Sequence, residues 1–185
     1  MYHIKNDKRA QASSELICAG LLACMKEKPF ARITITDVQR ASTVSRSTFY
    51  RNFDCLEDVL ALLCDRGFQA VFTEYNALPP AQRGSLAKAV FQYWFRNSAV
   101  LEALVQIHRT DILFDSLRRS SGLIEALQPM ADDPARFDYF VAIITSAMIG
   151  VLTVWVEHGK TETENQMVQK LTSTFIEMAI LELPG

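Results

Sequence analysis

Apolar residues recur along most of this chain at three- and four-residue intervals, the spacing that puts one stripe on the face of a helix. Over 7–28 the positions Ala12, Leu16, Ala19, Leu22, Ala23 and Met25 predict a helix with that stripe turned inward, ended by Pro29. Thr34, followed three residues later by Asp37, has the form of an N-cap with an acidic partner at N3. It precedes Ile35, Val38 and Ala41 of a short second helix that stops by Ser42. Small polar and β-branched residues at 42–45 predict a tight connection and a new N-cap at Ser45, opening a third short helix through Phe49 and Tyr50. Further helices are expected at 55–77, 83–96, 98–108 and 110–119, and a weaker one broken by Gly122 and ending near Pro129. Asp133 and Pro134 form the N-cap and N1 pair of a major helix over 134–158. A final helix over 163–182 carries Met167, Leu171, Phe175 and Met178 on one face. No alternating strand pattern exceeds four residues, so the fold class is all-α.

From Tyr139 to Val156 the chain carries no charged residue, a length that must be weighed as a membrane span. Thr145, Ser146, Gly150 and Thr153 dilute it, and no membrane association is expected. A helix apolar on every side is one covered on every side, and in a chain of 185 residues a second subunit is the natural cover. The last two helices, 134–158 and 163–182, are therefore expected to build a homodimer.

Charge divides the chain in the same way as pattern. Residues 1–53 carry nine Lys or Arg against four Asp or Glu, and residues 54–185 carry ten against seventeen. A basic end on an acidic body is expected where only one end meets phosphates. Cys18, Cys24, Cys55 and Cys64 have no C-x-x-C spacing or neighbouring His cluster, so no metal is expected. The first eight residues lack an apolar core, so the expected compartment is the cytoplasm, with reduced thiols.

Three helices of about twenty, eight and six residues, with a four-residue turn between the last two, have the proportions of a helix-turn-helix. If Ser45 caps the third, Val44, Phe49 and Phe53 turn inward, while Arg46, Ser47, Thr48, Tyr50 and Arg51 face outward. Arg46 suits guanine O6 and N7, and Thr48 can offer a methyl to thymine or a hydroxyl to either partner. Tyr50, Arg51 and the start of the second helix, near Thr34 and Thr36, suit phosphates.

The run from Thr34 through Asp37-Val38, Val44-Ser45 and Thr48-Phe49-Tyr50 to Phe53, followed by Glu57-Asp58-Val59-Leu60, resembles the N-terminal domain of TetR-family regulators. The match covers about residues 8–66. The resemblance implies a helix-turn-helix DNA-binding domain over 1–54 fused to a larger helical ligand-sensing and dimerisation domain over 55–185. It makes Thr36 and Tyr50 phosphate contacts and puts Ser45, Arg46, Ser47 and Thr48 at the DNA-facing start of the recognition helix. The partners it implies are double-stranded DNA with a near-palindromic operator, a second copy of the chain, and an unidentified small-molecule effector whose binding releases a repressor. Three positions depart from the pattern: Ser42-Thr43 stands for Ala-Gly in the turn, Asn52 for a His or Tyr, and Leu56 for a Lys. The last two remove a cation or long donor, so weaker and less salt-sensitive binding is expected unless Arg51 or the Lys5, Lys8, Arg9 cluster compensates.

In the second half, Tyr139-Phe-Val-Ala, the run from Gly150 to Gly159 and the following Thr-Glu-Thr-Glu helix resemble one C-terminal type of that family. Candidate effector-lining residues are Tyr93, Trp94, His108, Arg109, Phe114, Phe140 and Met148, with Phe91 beside them. His108 and Arg109 are the polar pair that would suit an anionic or hydrogen-bonding ligand. An enzyme is the rival from another class. Its support is thin, because His3, His108 and His158 are scattered and no nucleophile–base spacing, P-loop or dinucleotide fingerprint occurs. No catalytic residue and no cofactor is expected. A helical dimeric adaptor without DNA binding is the third reading.

Overall fold

A computed structural model describes residues 2–125, 127 and 133–177, together with the helical backbone of 178–181. Nine α-helices and no strand occur among them: α1 (Lys8–Glu27), α2 (Ile35–Ser42), α3 (Arg46–Asn52), α4 (Leu56–Ala77), α5 (Leu86–Arg96), α6 (Ser98–Gln106), α7 (Asp111–Ser120), α8 (Pro134–Glu157) and α9 (Glu164–Leu181). Single 3₁₀ turns at Phe30–Arg32, Pro80–Gln82 and Ser121–Leu123 join three of the junctions. The expected end near Pro129 and the side chain of Met178 lie outside the described residues.

Each start has a local cause. Asp7, Thr34, Ser45, Ser85 and Asp133 cap α1, α2, α3, α5 and α8 by accepting the N–H three residues on, and Pro134 opens α8 at the position where a missing N–H costs nothing. The helix expected from 83 begins later, at Leu86, because Pro79 and Pro80 first impose a 3₁₀ turn and Ser85 supplies the cap.

The helix over α1 is where expected, but its buried stripe is not. Ser14, Ile17, Cys18, Gly20, Leu21 and Cys24 face the core, whereas Ala12, Leu16, Ala19 and Ala23 are exposed and Leu22 and Met25 half-buried. Both sets obey helical spacing. The larger Ile17–Leu21 surface wins, and the buried Ser14 hydroxyl is satisfied by the Gln11 carbonyl and the Arg66 guanidinium. Gly20 lets α1 and α2 meet backbone to backbone, since a Cβ there would lie 2.8 Å from the Ser42 Cβ and 3.1 Å from the Val38 carbonyl oxygen.

Helix α4 is the spine. It packs on α1 at one end and on α5, α6 and α7 along its length, burying Val59, Leu60, Cys64, Phe68 and Phe72. A single apolar core runs from Ile17 in α1 to Met167 in α9. Helix α8 is long and apolar enough to cross a membrane by length and composition. Within one chain only one side of it is covered: Val141, Thr145, Met148, Ile149, Leu152 and Trp155 are buried, while Tyr139, Ile143, Gly150 and Val154 face outward. Trp155 fixes this rotation by stacking on Phe95 at 3.9 Å and donating its indole N–H to the Glu162 carbonyl.

The turn between α2 and α3 closes without glycine. Thr43 takes it at φ 58° and ψ 16°, with its hydroxyl on the Ser42 carbonyl and the Ser42 hydroxyl accepting the Val44 N–H. A left-handed β-branched residue costs about 1–2 kcal/mol, which glycine would not incur. Thr43→Gly is therefore expected to raise unfolding free energy by about 1 kcal/mol, less glycine's larger unfolded-state entropy. Urea denaturation followed by circular dichroism checks it, and a loss of stability would contradict it.

Candidate nucleic-acid interface

The first turn of α2 is held by a reciprocal capping box. Thr34 Oγ1 accepts the Asp37 N–H at 3.2 Å, and Asp37 Oδ2 accepts the Thr34 N–H at 2.8 Å. The same Asp37 oxygen accepts the Thr34 hydroxyl and the Lys28 ammonium, each at 2.7 Å. The Lys28 contact first, then the two donors of Thr34, hold the Asp37 carboxyl well below the usual carboxylate range. The Ile35 and Thr36 N–H groups have no hydrogen bond among the described residues, and Thr34 and Thr36 are exposed, so an anion can approach this end.

Helix α3 has seven residues and two distinct sides. Phe49 and Phe53 are fully buried and Val44 packs against the core from the turn. Ser45 Oγ caps the helix through the Thr48 N–H at 3.3 Å and lies 2.9 Å from the Thr48 hydroxyl and 3.1 Å from that of Ser47. At about 3.6 residues per turn, Ser47 lies on the middle of the outward face, Arg46 and Tyr50 on one flank, Thr48 and Arg51 on the other. On the first flank the Arg46 guanidinium sits 5.6 Å from the Tyr50 ring centre. The five side chains expected to face DNA thus share one surface, with Arg46, Ser47, Tyr50 and Arg51 exposed and Thr48 half-buried.

On the second flank lies a feature that sequence reasoning missed. The segment before α1 runs along α3, so that Lys5, Arg9 and Ser13 line one cleft with Thr48 and Arg51, of about 450 Å³. Lys8, expected as part of the same basic cluster, does not line it. The basic spacing was visible in the sequence. Its convergence with Arg51 was not, because it depends on a long-range bond from the His3 N–H to the Asn52 carbonyl at 3.0 Å. Asn52 itself is buried and donates to the Thr48 carbonyl at 2.8 Å, and Leu56 is in the core. Leu56 cannot reach a phosphate, and Asn52, although it borders the cleft, commits its amide N–H to the Thr48 carbonyl.

A second cavity, of about 200 Å³, lies between α4, α5, α7, α8 and α9. Phe140 and Met148 line it with Phe72, Val90 and Leu117, and the hydroxyl residues Ser121 and Thr145 also border it. The structure does not bring Tyr93, Trp94, His108, Arg109 or Phe114 to it. Trp94 and Phe91 are core residues, and Tyr93 packs over Gly67, where a Cβ would lie 2.7 Å from its ring. His108 and Arg109 are exposed in the α6–α7 turn, His108 at φ 56° and Arg109 bound to Asp111 at 2.9 Å. Among the described residues no charged side chain lines the cavity.

Among the described residues no group of three His, Cys, Asp or Glu side chains could hold a metal ion. Burial pushes the Cys18 thiol up to about 11 and raises Cys64 further still, the reverse of a reactive thiolate.

Residues 85–177, about half the chain, match the TetR C-terminal family described as "Transcriptional regulator C-terminal region". Lin0861 from Listeria innocua has a similar structure, with a TM-score of 0.74 at 16% identity, covering 95% of this chain and 96% of that one. A protein assigned as a TetR-family transcriptional regulator from Syntrophomonas wolfei aligns with a TM-score of 0.64 at 18% identity, covering 94% and 97%. A TetR transcriptional regulator from Streptococcus agalactiae gives 0.59 at 18%, covering 91% and 96%. Among curated proteins, none matches the sequence.

The Asp37 carboxyl makes a signed prediction. A carboxyl lowered by folding contributes stability above its unfolded pKa, about 4, which is lost as pH falls toward the folded value. Asp37→Asn should lower the melting temperature at pH 7, with the gap to wild type narrowing below about pH 4. A gap independent of pH in thermal melts would contradict this.

Proposed function

Because the chain belongs to the TetR family of transcriptional regulators, we propose that it is a homodimeric repressor that reads a near-palindromic operator with α3 and leaves it when a small apolar molecule enters the cavity beside α8. One observation carries the reading: a capped seven-residue helix seated by the wholly buried Phe49 and Phe53, whose other face presents Arg46, Ser47, Thr48, Tyr50 and Arg51 together. These side chains suit base edges in a major groove, and the N-termini of α2 and α3 approach the same surface. The domain division at 54/55 follows the end of this head, although α4 packs on both sides of it. The net charge of the whole chain, −2, is compatible because its basic residues concentrate at that end.

The exposed side of α8 supports the dimer. With α9 it forms an open apolar groove of about 480 Å³ lined by Ile143, Ala147, Val154, Leu171 and Phe175, and nothing lies within 4 Å of a Cβ placed on Gly150. A second copy laid against it would complete a four-helix bundle and leave α8 covered on every side, with close approach possible at Gly150. The effector cavity has apolar walls and two hydroxyl-bearing residues, which supports a small uncharged ligand rather than the anionic one that His108 and Arg109 would suit. Its volume of about 200 Å³ fits a molecule the size of benzene or slightly larger. A cytoplasmic site of action follows from the reading as a DNA-binding regulator.

Selection of duplexes from a randomised pool tests the reading. A near-palindromic consensus is expected; no enrichment by folded protein would overturn it. Thr48→Ala should change which base is preferred at one position in each half-site, whereas Tyr50→Phe should weaken all sites about equally. Equal losses from both across a panel of sites would refute that division of labour. For the dimer, Val154→Glu should convert the protein to monomer in analytical ultracentrifugation, since a buried unpaired carboxylate costs several kcal/mol on each side of the interface. A dimer unchanged by this substitution would place the interface elsewhere.

A further inference from the structure

We infer that Lys5, Arg9 and Arg51 form a second phosphate-binding cleft, on the flank of α3 opposite Arg46 and Tyr50, and that Tyr2 is the positioning residue that holds it. The inference rests on the DNA-binding reading and adds residues to it.

None of the three cationic side chains has a hydrogen bond or ion pair among the described residues, although all line one cleft beside the face that carries Thr48. Asp7, the acidic residue in the lining, is occupied as the cap of α1, accepting the Ala10 N–H at 2.8 Å. Three cations against the single Asp7 carboxylate leave the cleft net positive, and an anion between them lowers their mutual repulsion. The shared wall with Thr48 identifies the anion, because a helix seated in a major groove about 12 Å wide lies between two phosphate strands. Arg46 and Tyr50 address one flank. Without this cleft, Arg51 would be the lone cation on the other.

The cleft is built rather than incidental. The chain from Tyr2 to Asp7 is pinned at both ends, leaving Lys5 in the middle. At the far end Asp7 caps α1. At the near end the Tyr2 hydroxyl donates to Asp65 Oδ2 at 2.5 Å, and the His3 N–H donates to the Asn52 carbonyl at 3.0 Å. The His3 ring is also 3.7 Å from the Asp54 carboxylate. Asp65 is itself fixed by the Ser116 hydroxyl and, at 2.8 Å, by the Arg119 guanidinium of α7. Burial and the bond to Asp65 push the Tyr2 phenol up to about 12, so it remains a donor across the working pH range. Asn52, which stands where the TetR pattern has a phosphate-gripping His or Tyr, instead docks this segment. The segment then returns cations to the surface from which that position withdrew one.

The test measures the slope of log K against log salt on a duplex selected by the wild-type protein from a randomised pool. Lys5→Ala/Arg9→Ala should make the slope shallower by about 0.9 for each cation removed from each bound head, and lower affinity at least tenfold at 0.15 M salt. Lys5→Arg/Arg9→Lys should retain the wild-type slope, because charge and not shape carries the contact. Arg96→Ala, an exposed cation on α5, should leave it unchanged. Tyr2→Phe should make the slope shallower by less than the double alanine variant, since His3 still ties the segment to Asn52. A wild-type slope in the double alanine variant overturns the cleft while leaving α3 as the DNA reader. A wild-type slope in Tyr2→Phe alone overturns the positioning role. If the wild-type protein selects no duplex, the DNA reading and this inference fall together.

Discussion

A helix of seven residues has no stability of its own, because nucleating a turn costs more than so few hydrogen bonds return. Helix α3 exists because Phe49 and Phe53 are driven into the core beneath it, with an edge-on contact from Phe49 to Tyr50 and a tilted one to Phe53 at 5.8 Å. Burying two such rings is worth several kcal/mol, enough to hold the backbone in register. That leaves Arg46, Ser47, Tyr50 and Arg51, and the edge of Thr48, available to a partner. The capping hydroxyl of Ser45 and the left-handed Thr43 then set where the helix starts and at what angle it leaves α2. The close approach of α1 and α2 at Gly20 sets the floor on which both rest.

Beyond the shared apolar core, two consecutive residues of α4 tie this head to the rest of the molecule by polar contacts. Arg66 reaches back to the Ser14 hydroxyl at 2.9 Å and to Cys18 Sγ at 3.8 Å in α1. Asp65 reaches Ser116 and Arg119 in α7 and Tyr2 in the segment before α1. The same α4 and α7 contribute Phe72 and Leu117 to the cavity beside α8. A ligand that displaced α4 against α7 would disturb the Asp65 cluster and the seating of α1 together. On the proposed reading, the route from cavity to α3 would be α4 and its ionic and hydrogen-bonded neighbours.

Much of this was legible in the sequence, and what was not has a common cause. The capping box at Thr34, the stop at Ser42, the cap at Ser45 and the Asp133-Pro134 start are local signals, and each lies where its chemistry put it. Exposure of Arg46 and Tyr50 followed from the burial of Phe49 and Phe53, again within one turn. The stripe of α1 failed because alanines at helical spacing are indistinguishable by pattern from Ile17, Cys18 and Leu21, and the choice is made by α2 and α4. His108 and Arg109 looked like a ligand pair because they are polar among apolar neighbours. The chain reverses at His108 and puts both in solvent. The convergence of Lys5, Arg9 and Arg51 depends on residues about fifty positions apart, a separation that no local periodicity encodes.

The central claim is that two copies of α3 enter successive major grooves. Hydroxyl-radical footprinting of the protein on its selected duplex tests it most directly. Two protected patches per strand, related by a dyad and centred one helical turn of about 10 base pairs apart or a whole multiple of it, are predicted. A single patch without dyad symmetry, or uniform cleavage along the duplex at saturating protein, would contradict the account.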